Sequence, residues 1–381
     1  MAERAPPALP DELVEEILLR VPPDEPARLM RAALACKPWC RLVCGPAFRR
    51  RFRERHRTLP AMGIVRNFLD EHCRATARFL PTCGFRPRRA DRRGWHAIDS
   101  RHGRVLVHRY GDLGRLGLWY PIADRLWELP ALPLCPCEYQ WNAVVLCAAA
   151  ADGCDHLDCG GRPFLVVAVG TVPKEGMFAY VYSSKSGSWG EPTFGPDPGV
   201  IFQRQAAALA GNALYFGLML NGDDGNDGDR LLRYDMSTRE ITVIQAPPVE
   251  PGYPIVLMTV SGALRAIKME GYKLYFWSRE AGLDGDIGWT LSEVVELNAL
   301  IPAGADLDCY KVVGFADGGG VVSLWTDQGT FTEDLKFGQV KKLGGLTKAD
   351  NILPYMSFHT PVTERWPLQV RVQELVHQVH D

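Results

Sequence analysis

Five aromatic residues, each closing a strand-like run just before a turn, stand at Tyr120, Tyr182, Tyr234, Trp277 and Trp325, with spacings of 62, 52, 43 and 48 residues. This recurrence constrains the fold more than any other feature of the sequence, because a unit of about 40–50 residues repeated along a chain is the signature of four-stranded propeller blades. Each unit reads as a turn, a strand, a second strand ending in an aromatic, another turn, and a strand carrying a Trp or β-branched residue. The five are Gly103–Val107 with Leu118–Pro121 and Trp127–Pro130; Phe164–Val167 with Val181–Ser183 and Ser188–Trp189; Gly211–Phe216 with Leu232–Asp235 and Ile241–Ile244; Gly262–Ala266 with Tyr275–Ser278 and Trp289–Thr290; and Val312–Val313 with Val321–Trp325 and Phe331. One such unit buries its faces only against neighbours, so the aromatics are expected to pack between sheets. The tail Ile352–Phe358 is expected to complete a blade begun near Trp95, making about six blades and removing exposed edges.

Residues 9–57 have a different texture. Asp11 and Glu12 place negative charge where a first helical turn favours it. Val14 and Leu18 form one apolar stripe, Leu13 and Ile17 its neighbour, and Glu12, Glu15, Glu16 and Arg20 the polar side. Pro22 and Pro23 end this helix. A second apolar run covers Ala27, Leu29, Met30 and Ala32–Ala35, is interrupted by Pro38 and continues through Trp39, Leu42 and Val43 before Gly45 and Pro46. Three short helices in so few residues bury little on their own. Their apolar residues are expected to be shared with a neighbour, which makes docking the expected role. The chain thus divides into a small all-α module at 9–57, a linker or start of the β domain at 58–94, and an all-β, propeller-like domain at 95–381.

The helical residues resemble an F-box. Leu9, Pro10 and Leu13, then Ile17 and Leu18, Val21 and Pro22, followed by Lys37 and Trp39, Leu42, Pro46 and Phe48, follow the family pattern LP-x-x-L-x-x-x-IL-x-x-LP, V-S-K-x-W and L-x-x-x-P-x-F. Pro26, Cys36 and Pro38 depart from it. The resemblance implies docking to the Skp-type adaptor of a cullin–RING ubiquitin ligase, with Leu9, Pro10, Leu13, Ile17, Leu18, Pro22 and Leu29 packing on the adaptor and Trp39 and Leu42 at or near the contact. The β region is similar, more loosely, to the F-box-associated propellers of a large plant F-box family. Together these imply a non-catalytic receptor that holds an unidentified target protein on a propeller face. The alternative reading of the same helices is a small internal core.

Charge and composition bear on the remaining classes. The net charge is −2, yet residues 1–110 hold 23 Lys+Arg against 12 Asp+Glu and the remainder 20 against 33, as expected for two modules with different partners. Residues 49–57 contain six arginines but one aromatic, Phe52. A solvated helix face, or a rim facing an acidic partner, fits this better than a nucleic-acid platform. The longest apolar runs, Ala143–Ala151 and Phe164–Val169, are too short to span a membrane. Met1–Pro10 lacks a secretory apolar run, and the odd cysteine count of 11 is read as reduced thiols in the cytosol or nucleus.

No cofactor or metal is expected. Cys135, Cys137, Cys147, Cys154, His156 and Cys159 cluster in sequence, with Cys154, His156 and Cys159 the best candidate ligands, but the spacings make no pair of CxxC knuckles. Cys147 reads as a buried apolar thiol in a strand. Cys36, Cys40 and Cys44 read as a helical packing stripe. Asp223–Asp229 fails the calcium-loop template at Gly225 and Tyr234, and no nucleophile elbow, phosphate loop, dinucleotide fingerprint or HExxH occurs. Two other functions stay open at this level: a propeller enzyme or glycan binder with a structural helical N-terminus, and a nuclear nucleic-acid binder. Asp152–Gly161 and Asn221–Asp229 are the candidate recognition loops.

Overall fold

The computed structural model describes residues 9–357, apart from single residues and connecting stretches of which 134–140, 221–229, 249–254, 297–310 and 345–351 are the longest. The α module holds four helices where three were expected: α1 (Asp11–Leu18), α2 (Pro26–Ala35), α3 (Lys37–Cys44) and α4 (Pro46–His56), the last of which takes up the arginine string. Pro26, Pro38 and Pro46 all fall in the first turns of helices. A missing N–H costs nothing there, because that donor has no partner inside the helix. The break between α2 and α3 is instead made by Cys36, which is fully extended. The module has its own core of Val14, Leu18, Leu19, Leu29, Ala33, Val43, Phe48 and Phe52.

Among the described residues the β domain consists of six antiparallel sheets of four or five strands. Blade 1 contains Ala61–Leu69, Ala75–Pro81 and Asp91–Arg93, and its innermost strand is the distant Ile352–Met356. Blade 2 runs outward through Trp95–Arg101, Arg104–Arg109, Asp112–Tyr120 and Arg125–Glu128. Blade 3 begins with Trp141–Cys147, Phe164–Val172 and Gly176–Ser183, whose outer edge pairs with Ser188–Trp189 and Thr193–Gly195. Blade 4 places Val200–Phe202 and Ala208–Ala210 inside Ala213–Leu220, Arg230–Asp235 and Glu240–Gln245. Blade 5 is Val256–Val260, Ala263–Glu270, Lys273–Ala281 and Ile287–Glu296. Blade 6 is Lys311–Ala316, Val321–Thr326, Gly329–Asp334 and Gln339–Gly344.

The innermost strands of consecutive blades touch all the way round, and the ring closes where the inner strand of blade 6 meets Ile352–Met356. The five sequence repeats are blades 2–6. The tail does close a blade, but its partner is Ala61–Leu69, with Val65 opposite Leu353, and not a strand near Trp95. Ala61–Leu69, Ala75–Pro81 and Asp91–Arg93 are accordingly strands of the β domain. The sequence hides this pairing because the two halves of blade 1 lie at opposite ends of the domain.

Period-two alternation explains how one sheet serves two neighbours. In blade 3, Ala143, Val145, Val166 and Ala168 pack toward Leu106, Leu116 and Leu118 of blade 2. The intervening Val144, Leu146, Val167 and Val169 pack toward Leu214, Phe216 and Leu232 of blade 4. Tyr182 and Tyr234 are buried in these layers, as the repeat implied. Two Trp residues of the outer strands make the same tie: Trp189 Nε1 donates to the Pro130 carbonyl and Trp289 Nε1 to the Gln245 carbonyl, each 2.9 Å away on the preceding blade. Nearer the axis, the Asn67 amide donates to the Ala97 carbonyl and accepts from the Ala97 N–H, linking blades 1 and 2. Asp99 accepts from the Val145 N–H at 2.9 Å, linking blades 2 and 3, and is paired with Arg101.

The closing strand is held by Tyr355. Its hydroxyl donates to the Gly103 carbonyl (2.9 Å), and its ring meets Phe79 edge-on at 5.4 Å. Tyr355→Phe leaves a buried carbonyl unpaired and is expected to cost about 1–3 kcal/mol. Tyr355→Ala also removes the ring and is expected to cost about 3–5 kcal/mol. Urea unfolding of the full chain checks the order: equal stability of both variants and wild type would show that closure does not rest on this side chain.

Candidate functional site

Helix α1 carries two adjacent apolar stripes, and only one is used by the core. Val14 and Leu18 are 2% and 7% exposed, whereas Leu13 and Ile17, one position earlier, are 53% and 56% exposed. Residues four apart lie on one helix face, so Leu13 and Ile17 form a continuous ridge, and Leu9, 55% exposed, precedes it. Isolated exposed apolar residues are ordinary; three large ones in an i, i+4, i+8 series beside a filled core are an unpartnered face. Pro10 is exposed and starts the helix, its carbonyl accepting from the Leu13 and Val14 N–H groups at 3.1 Å.

The expected adaptor-contact residues therefore separate into two groups. Leu9, Pro10, Leu13 and Ile17 face outward. Leu18 and Leu29 are in the core, and Pro22, Trp39 and Leu42 are half-buried, the last two packed against that core. Leu34, counted in the second apolar run but not among the expected contacts, lies near the end of α2 and is 37% exposed because Leu29, Met30 and Ala33 take the inward positions.

The arginines of α4 turn back on the module. Arg51 meets Glu15 at 2.8 Å and Glu16 at 3.7 Å, Arg55 meets Glu16 at 3.6 Å, and Arg50 meets Glu54 at 3.7 Å. Each exposed pair contributes at most about 1 kcal/mol, but together they neutralise much of the positive face. His56 Nε2 lies 3.0 Å from the Leu19 carbonyl, joining the ends of α1 and α4. Of the cysteine stripe, Cys40 and Cys44 lie in α3. Burial, and then the neighbouring Cys40 sulfur, push the Cys44 thiol up to about 12, so it stays protonated and inert.

A second constellation joins the end of the first strand of blade 3 to the loop that follows it. Cys147, Cys154, His156 and Cys159 bring their ligand atoms within 4.8 Å of one another. The Cys154 and Cys159 sulfurs are 3.6 Å apart, and Cys159 Sγ is 3.5 Å from His156 Nδ1. Cys147 is buried, as expected of a strand thiol, but its sulfur belongs to this group. It was set apart because strand alternation says which face a side chain takes and not what a loop brings back to it. Cys135, Cys137 and the acidic turn at 223–229 lie outside the described residues. No helix among the described residues is long and apolar enough to cross a membrane.

Residues 7–51 match the family model of the F-box domain, so the chain carries an F-box followed by a β-propeller. No curated protein matches it. Among solved structures, the β-propeller domain of Myceliophteria thermophila Cps50 (Swd1) is similar, with 13% identity and a TM-score of 0.37 over 74% of this chain and 83% of that one. That overlap adds nothing to the strand arrangement and says nothing about ligands.

The split between the two stripes is testable on the isolated chain. Leu13→Asp with Ile17→Asp is expected to leave stability within about 0.5 kcal/mol of wild type, as at ordinary surface positions. Leu18→Ala is expected to cost about 2–5 kcal/mol. Thermal unfolding of the two variants side by side reads the difference; a large loss in the aspartate variant would place Leu13 and Ile17 in the core.

Proposed function

We propose that the chain is the substrate receptor of a Skp–cullin–F-box type ubiquitin ligase, with the α module docking the Skp-type adaptor and the propeller holding a target protein. The observation that carries this reading is the solvent-facing Leu9–Leu13–Ile17 ridge within a segment that matches the F-box model. The receptor supplies no chemistry of its own. It raises the effective concentration of a target lysine near the ubiquitin-loaded enzyme. The propeller suits that role because a closed ring holds its loops on a rigid frame. The pairing of Arg50, Arg51 and Arg55 with the module's own glutamates weighs against the nucleic-acid reading. Work in the cytoplasm or nucleus, where adaptor and cullin act, follows from this reading.

Co-purification with a Skp-type adaptor tests it. Burying a Leu or Ile side chain is worth about 1.5–3 kcal/mol, so Leu13→Asp with Ile17→Asp is expected to weaken the complex by a factor on the order of 100 or more. Failure of the folded wild-type chain to bind, or binding indifferent to the double substitution, contradicts the proposal.

A further inference from the structure

We propose that Cys147, Cys154, His156 and Cys159 form a structural zinc site that staples the loop of residues 148–163 to blade 3.

The first ground is the geometry. Tetrahedral zinc with Zn–S of about 2.3 Å and Zn–N of about 2.0–2.1 Å sets ligand atoms about 3.8 Å apart for two sulfurs and about 3.5 Å for sulfur and nitrogen. The observed 3.6 Å between Cys154 and Cys159 and 3.5 Å between Cys159 and His156 fall at those values. A disulfide needs about 2.05 Å, so no pair here is an S–S bond. Thiol hydrogen bonds account for separate contacts at such distances, but not for four ligand atoms gathered within 4.8 Å of one another. Three sulfurs and one imidazole favour a soft or borderline cation over magnesium or calcium.

The loop itself is the second ground. The equivalent turns after the inner strands of blades 2 and 4 are two residues long, His102–Gly103 and Gly211–Asn212. In blade 3 the paired Cys147 and Phe164 are joined through residues 148–163. Connections of that length are uncommon inside a compact domain and are usually functional where they occur. Beyond its opening alanines this one is built from Asp, Gly and Cys with His156, Leu157, Arg162 and Pro163, so it has little apolar surface to bury. Zinc–ligand bonds supply folding energy where a core does not.

The third ground is charge. Arg104 of blade 2 is fully buried. Its Nη2 donates to the Cys159 carbonyl and, at 2.6 Å, to the Arg162 carbonyl, and its guanidinium lies over the Phe164 ring at 5.3 Å. Its Nε and Nη1 have no hydrogen-bond partner among the described residues. A buried cation requires a compensating negative charge. Zinc bound by three thiolates and one neutral imidazole carries a net charge of −1, beside Arg104. Arg162 adds a second guanidinium 3.6 Å from the Cys154 sulfur. The His102 ring lies 4.5 Å from the His156 ring, so the cluster also packs on the blade 2 turn whose Gly103 carbonyl receives Tyr355.

The full chain, purified under reducing conditions from zinc-supplemented medium, is expected to retain one zinc ion by inductively coupled plasma mass spectrometry. Cys154→Ser and Cys159→Ser are expected to lose it, while Cys36→Ser, Cys83→Ser and Cys135→Ser keep it. Replacing zinc by cobalt in the wild-type chain gives a readout independent of how any variant folds: tetrahedral thiolate ligation produces strong visible bands and a near-ultraviolet charge-transfer band. Absence of metal from the folded wild-type chain, a cobalt spectrum without thiolate bands, or zinc that survives both loop substitutions overturns the proposal.

Discussion

A four-stranded sheet with apolar residues on both faces cannot stand alone in water, and the β domain exists because six such sheets cover one another in a ring. The ring depends on one long-range pairing, between Ala61–Leu69 and Ile352–Met356. Without it blades 1 and 6 would each present an uncovered face, and the inner edge of blade 1 would be free to pair with other chains. Ile352, Leu353 and Tyr355 are almost wholly buried in this closing strand, and Tyr355 reaches across to blade 2. The seam is thus fastened to both neighbours.

The two parts to which a role is proposed are parts that this frame does not need. The helical module fills a core of its own and still leaves Leu9, Leu13 and Ile17 in water. In the propeller, the long loop after the first strand of blade 3 departs from the two-residue turns of blades 2 and 4, and it rests on the turn that anchors the closing strand. A rigid ring lets such a loop be elaborated without disturbing strand register.

Local periodicity made much of this legible. The four-residue spacing of Val14 and Leu18 against Leu13 and Ile17 separates two stripes of α1, although it does not say which stripe is covered; that depends on which helices pack against it. The aromatic repeat located blades 2–6 because each is continuous in sequence. Blade 1 was expected with its closing strand but with the wrong partner, near Trp95, because its inner strand comes from the other end of the domain. Pro26 and Pro38 looked disruptive and prove harmless, since their effect depends on where a helix starts. Cys147 was read correctly as a buried strand residue, yet its neighbours come from a loop whose path no periodicity encodes.

The proposed docking surface is the one exposed ridge on α1, separate from the propeller. Amide hydrogen exchange of the full chain, with and without a Skp-type adaptor, tests it directly. Protection gained at residues 9–18 and in the neighbouring helices, with blades 1–6 unchanged, is the predicted result. Protection that appears on the propeller and spares α1 would contradict it.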